Sequence, residues 1–118
     1  MSKTVAALLA LIVVLLVPST VPAVTTCSSK GMRYERKSGS STQSTKVSRL
    51  RVKGAGCQTA RRVAATVARS ILRTDKVPAR AATYRIRANK PCAGCAPVWV
   101  VRGTKGKRIV TFQVAGGA

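Results

Sequence analysis

The chain has 118 residues, of which 22 are Lys or Arg and only two, Glu35 and Asp75, are acidic; with no His, the formal charge at pH 7 is +20. That imbalance favours association with polyanions through a field reaching beyond any single contact. It also excludes most acid–base catalysis, since a chain with two carboxylates and no imidazole is short of general bases.

Residues 1–23 predict a secretory signal peptide. Ser2 and Lys3 form a short positive start, and Ala6 to Val17 is an unbroken apolar run, shorter than the about 20 residues a membrane-spanning helix needs. Pro18, Ser19, Thr20 and Pro22 break the run, and Val21-Pro22-Ala23 ends in a small residue suited to cleavage. An uncleaved anchor and lipid attachment at Cys27 are the alternatives, although Thr26 is bulkier than lipid attachment prefers. The expected mature chain begins near Val24 and is secreted or held in the cell envelope. It loses only the charge of Lys3, so the basic excess belongs to the exported product. A single domain of this size usually needs covalent support. Cys27, Cys57, Cys92 and Cys95 predict two disulfides, with three pairings open.

Residues 24–46 read as a flexible Ser/Lys-rich arm, because they hold too few aliphatic side chains to order themselves. A small domain follows over residues 47–114. From Val47 to Lys53, Leu50 and Val52 alternate with Arg49, Arg51 and Lys53 as in a half-buried strand. Gly54 and Gly56 turn the chain. From Cys57 to Arg73 the period becomes helical, with Ala60, Val63, Ala64, Val67 and Ile71 on one face and Arg62, Arg69 and Arg73 on the other. A loop containing Pro78 leads to a strand over Thr83–Ala88, where Tyr84 and Ile86 share one face and Arg85 and Arg87 the other. Pro97–Arg102 is a further strand, Gly103–Gly106 a turn, and Lys107–Val114 a last strand with Val110, Phe112 and Val114 on one side. Residues 115–118 read as a disordered tail. The order β-α-β-β-β predicts an α+β fold, one helix packed on a small, mainly antiparallel sheet.

This fold gives the charge a geometry. Arg49, Arg51, Arg85 and Arg87, with Lys53, fall on the open face of the sheet; Arg62, Arg69 and Arg73 line the outer side of the helix. These seven arginines are the candidate ligand-binding residues. Long basic side chains also cover apolar surface without any ligand, but an ordinary solvated face mixes both signs of charge, and these faces do not.

Other chemistry finds little support. Cys92-Ala-Gly-Cys95 has redox spacing, yet the continuation Ala-Pro-Val-Trp is a strand signal without the helix N-terminus that activates such a thiol. Zinc held by these two with Cys27 and Cys57 would lack a second paired spacing. Glu35 falls in the arm and Asp75 just past the helix, so paired-carboxylate hydrolysis lacks two groups at a set separation; a Ser–Lys dyad is the residual route to an enzyme. No phosphate-cradling or dinucleotide motif occurs, and neither a cofactor, a metal nor a small-molecule substrate is expected. Tyr84, Trp99 and Phe112 read as core residues first and as stacking platforms for single-stranded nucleic acid second. Trp99 is exposed only if Val98 and Val100 face the helix.

The run Gly56-Cys57-Gln58-Thr59-Ala60-Arg61-Arg62-Val63-Ala64, a later Cys and the closing Gly106-Lys-Arg-Ile-Val-Thr-Phe112 resemble small secreted basic disulfide-containing proteins of actinobacterial type. The likeness covers about the last seventy residues. It implies export and a Cys-headed helix followed by a β-hairpin, and brings no activity. Cys92 to Phe112 is similar to the end of Streptomyces subtilisin-inhibitor-type proteins, which implies a disulfide-braced loop at Cys92–Pro97 presented to a protease. The leading expectation is a secreted, cationic, non-enzymatic protein that binds a polyanion: an envelope phosphate polymer, an anionic lipid surface or nucleic acid. The alternative is a protease inhibitor or other protein-interaction module.

Overall fold

A computed structural model describes residues 23–89 and 97–117. The expected signal peptide up to residue 22, Cys92, Cys95 and most of the loop expected to meet a protease lie outside the described residues. Strands β1 (Thr25–Thr26), β2 (Arg33–Ser38) and β3 (Ser41–Lys53) precede helix α1 (Cys57–Thr74). Strands β4 (Arg80–Ala81), β5 (Tyr84–Asn89), β6 (Val98–Lys105) and β7 (Arg108–Gly117) follow it. The fold is α+β, a helix lying on an antiparallel sheet of order β3-β7-β6-β5-β4, with β1 and β2 both paired to the outer edge of β3. The expected order β-α-β-β-β describes β3, α1, β5, β6 and β7 but omits β1, β2 and β4. Among the described residues no helix is long and apolar enough to cross a membrane.

The helix follows from its sequence. Ala60, Val63, Ala64, Val67, Ala68 and Ile71 form its buried stripe, and the small side chains of Ala60, Ala64 and Ala68 let its axis approach the sheet. Gly103 answers them from β6: a Cβ there would stand 3.1 Å from Ile86 Cδ1 and 3.5 Å from Val63 Cγ1. Gly103 is therefore a packing glycine within a strand, and the expected turn at Gly103–Gly106 is corrected to Gly106–Lys107, between the paired residues Lys105 and Arg108. Gly106, at φ 60°, takes the left-handed first position that a two-residue hairpin turn favours. The helix closes at Asp75, which is left-handed at φ 56° and donates its N–H to the Ile71 carbonyl at 2.8 Å.

Against the helix the sheet presents Val47, Leu50, Val52, Tyr84, Ile86, Trp99, Val101, Val110, Phe112 and Val114, all buried. Val47 and Leu50 are three residues apart, so strict alternation cannot turn both inward. A β-bulge between Ser48 and Arg51 resolves the conflict by adding one residue to β3. Arg49 takes the strain of it, at φ 53°.

The expected flexible arm over 24–46 is corrected. It carries β1, β2 and the first part of β3, and β2 pairs along its whole length with Ser41–Lys46 through a turn at Gly39–Ser40. Sparse aliphatic content did not prevent order, because the hairpin borrows its core from the rest of the domain. Met32 is buried, Tyr34 packs on the core, and the Thr45 hydroxyl donates to the Ala68 carbonyl of the helix at 3.1 Å. The expected tail is likewise corrected over Ala115–Gly117, which continues β7 opposite Ser44–Lys46.

Candidate functional site

The open face of the sheet is built by register. Arg51, Thr111, Arg102 and Arg87 are successive partners across β3, β7, β6 and β5 and form one row. Lys53, Ile109, Thr104, Arg85 and Arg80 form the next row, which extends onto β4. Neighbouring strands lie about 4.8 Å apart and the rows about 7 Å apart, so six cations share a patch about 20 Å across. Their side chains are exposed, apart from the half-exposed Lys53. Both side-chain carboxylates of the protein lie elsewhere, on β2 and at the helix end.

Two of these cross-strand pairs set like charges directly opposite each other, Arg87 with Arg102 and Arg80 with Arg85. Arg33 faces Lys46 at the β2 edge, and Lys105 faces Arg108 at the hairpin tip. Opposed like charges destabilise a sheet, where opposite charges would have contributed a few tenths of a kcal/mol or more. Among the described residues the one ion pair is Arg33 with Glu35, at 3.4 Å on an exposed surface. The bulge adds Arg49, which with Arg51, Val100, Thr111, Phe112 and Gln113 lines a shallow depression of about 180 Å³.

The helix-side arginines have a different environment. Arg61 reaches the loop before β2, donating to the carbonyls of Ser28 and, at 3.0 Å, Lys30. Arg36 donates to the Arg73 carbonyl at 2.9 Å, where the helix C-terminus concentrates partial negative charge. Arg69 lies over the Tyr34 ring, 5.0 Å from its centroid. The depression on this side, about 400 Å³, includes Glu35 beside Arg36, Arg69 and Arg73, so it mixes charge signs.

The seven candidate arginines therefore divide. Arg49, Arg51, Arg85 and Arg87 share the open face, whereas Arg62, Arg69 and Arg73 lie on the far side of the domain. Sequence reasoning missed Arg102 and Arg80 on the open face. Arg102 was within reach, because it has the parity of Val98 and Val100, but that parity remained open while the side of Trp99 was undecided. Trp99 is buried and Val100 is 48% exposed, so β6 turns Trp99 to the helix and Arg102 to the open face. Tyr84 and Phe112 are buried too. The stacking-platform reading of Tyr84, Trp99 and Phe112 is corrected accordingly: these rings are core.

Cys27 and Cys57 form a disulfide, with Cα atoms 5.5 Å apart, that ties β1 to the start of α1. The bond consumes two of the four thiols required for the zinc reading. Glu35, expected in a mobile segment, sits on β2, and Asp75 closes the helix. No family model, no curated protein and no solved structure matches this chain.

Proposed function

We propose that the protein is exported and acts, outside the cell or in its envelope, as a non-enzymatic binder of polyanions: envelope phosphate polymers, anionic lipid surfaces or nucleic acid. The contact surface is the open face of the sheet, with Arg51, Arg87 and Arg102 at its centre and Lys53, Arg80, Arg85 and Arg49 around them. The observation that carries the reading is the set of like-charge cross-strand pairs, Arg87 with Arg102 and Arg80 with Arg85, on a surface without a side-chain carboxylate. A sheet that keeps such pairs gives up stability in isolation and recovers it when an anion lies between them.

Guanidinium groups suit this role because each offers a planar fork of donors to phosphate oxygens and stays charged at any physiological pH. The domain supplies rigidity. The strands fix the spacing of the cations before the ligand arrives, so little ordering entropy is lost at the backbone.

The test is a titration of oxidised protein with a defined polyanion, such as inorganic polyphosphate, at several salt concentrations. Affinity should fall steeply and log-linearly with salt as counterions are released, and added polyanion should raise the melting temperature. Affinity indifferent to salt would sink the reading.

A further inference from the structure

We propose that the end of the basic face near Thr83 holds a discrete pocket for a phosphomonoester, the terminal phosphate of the polyanion or a free phosphorylated molecule. This inference rests on the polyanion reading and specifies which part of the ligand is recognised. A depression of about 320 Å³ opens there, lined by Arg80, Thr83, Arg85, Thr104, Lys105 and Gly106. The residues that line it include three basic ones, two that carry hydroxyls and no acidic one. Arg80, Arg85 and Thr104 are consecutive cross-strand neighbours on β4, β5 and β6, and Lys105 follows Thr104 toward the hairpin tip. Strand pairing therefore holds Arg80, Arg85 and Thr104 side by side.

The turn that brings Thr83 to this depression is a second, independent observation. Ala82 and Thr83 form the two-residue loop between the paired residues Ala81 and Tyr84, with φ of 47° and 69°. Turns with both central residues left-handed favour Asn-Gly or Gly-Gly, and a β-branched residue there is an outlier. Glycine at 83 would relieve the strain but remove a hydroxyl-bearing side chain from the lining. Backbone outliers of this kind cluster at functional sites.

The chemistry selects a monoester over the diester units within a polymer. A phosphomonoester carries close to two negative charges and three terminal oxygens, and so compensates more of the three cations and engages more donors than a diester does. A diester offers one charge and two free oxygens, and would leave part of this cluster uncompensated.

The test compares a short oligothymidylate carrying a 5′-phosphate with the same oligomer ending in a 5′-hydroxyl, together with inorganic phosphate as competitor. The phosphorylated form should bind about tenfold tighter, the increment of well-formed charge-assisted contacts. Inorganic phosphate should remove that advantage before it displaces the hydroxyl form. In Thr83→Gly, chosen because glycine accepts φ 69° and so suits the turn, one donor of the cluster is lost and the preference for the phosphorylated oligomer should shrink about threefold, with the hydroxyl form bound as by the wild type. Equal binding of the two oligomers to the wild type, or an undiminished preference in Thr83→Gly, overturns the pocket and leaves the polyanion reading intact. Failure of both oligomers to bind overturns both.

Discussion

The two basic sides of this domain use the same residue in opposite ways. On the helix side, three arginines meet acceptors: Arg61 the carbonyls of Ser28 and Lys30, Arg36 the carbonyl of Arg73, Arg69 the face of Tyr34. On the open side, Arg87 meets Arg102 and Arg80 meets Arg85. A guanidinium that finds a carbonyl or a ring fastens the N-terminal hairpin to the helix. One set opposite another guanidinium costs the fold a little and leaves its donors to a ligand. Charge excess alone therefore does not mark a binding surface; the neighbours of each charge do.

Opening the Cys27–Cys57 bond should disturb the helix side most. It closes a separation of 30 residues, and the Cys27→Ser, Cys57→Ser variant should lose about 3–4 kcal/mol by urea denaturation. The fraction that stays folded should keep its polyanion affinity.

Arg61→Ala ranks next. Removing the donor to two carbonyls should cost about 1–2 kcal/mol and loosen the loop before β2, detectable as faster amide exchange at Met32 and Val47. Binding should weaken by no more than the loss of one distant charge implies.

Arg49→Gly reverses the sign on the open side. Relief of a left-handed arginine, set against the added chain entropy of glycine, should stabilise the fold by about 0.5–1 kcal/mol, while polyanion affinity falls. A variant that gains stability and loses binding separates function from folding more sharply than one that loses both. The smallest stability effect belongs to Arg102→Gln, which relieves the opposition to Arg87 and should add a few tenths of a kcal/mol at low salt, a gain that disappears as salt screens the pair.

Much of this architecture is legible in the sequence where one element decides its own fate. The stripe from Ala60 to Ile71 and the alternation of Tyr84 and Ile86 with Arg85 and Arg87 describe α1 and β5 without knowledge of any partner. The N-terminal hairpin is not legible in that way. Its order depends on β3 and on the helix, through Thr45 and Tyr34, and low aliphatic content in 24–46 points the other way. Gly103 misleads for a related reason, since glycine before a short polar run signals a turn, whereas here it admits the helix. The opposed arginine pairs are the least accessible feature, because Arg87 and Arg102 become partners only through the long-range register of β5 and β6. The spacing of Val47 and Leu50 is a signal that could have been used: two inward residues three apart on one strand require a bulge, and so mark Arg49.

The most direct test of the division between the two sides is the salt dependence of binding to duplex DNA, whose counterion release is proportional to the phosphates contacted. The variant with Arg51→Gln, Arg87→Gln and Arg102→Gln should lose roughly three units of log–log slope relative to the wild type, while Arg62→Gln with Arg73→Gln should leave the slope nearly unchanged. Equal losses from both variants, or a loss confined to the helix-side pair, would contradict the assignment of binding to the open face of the sheet.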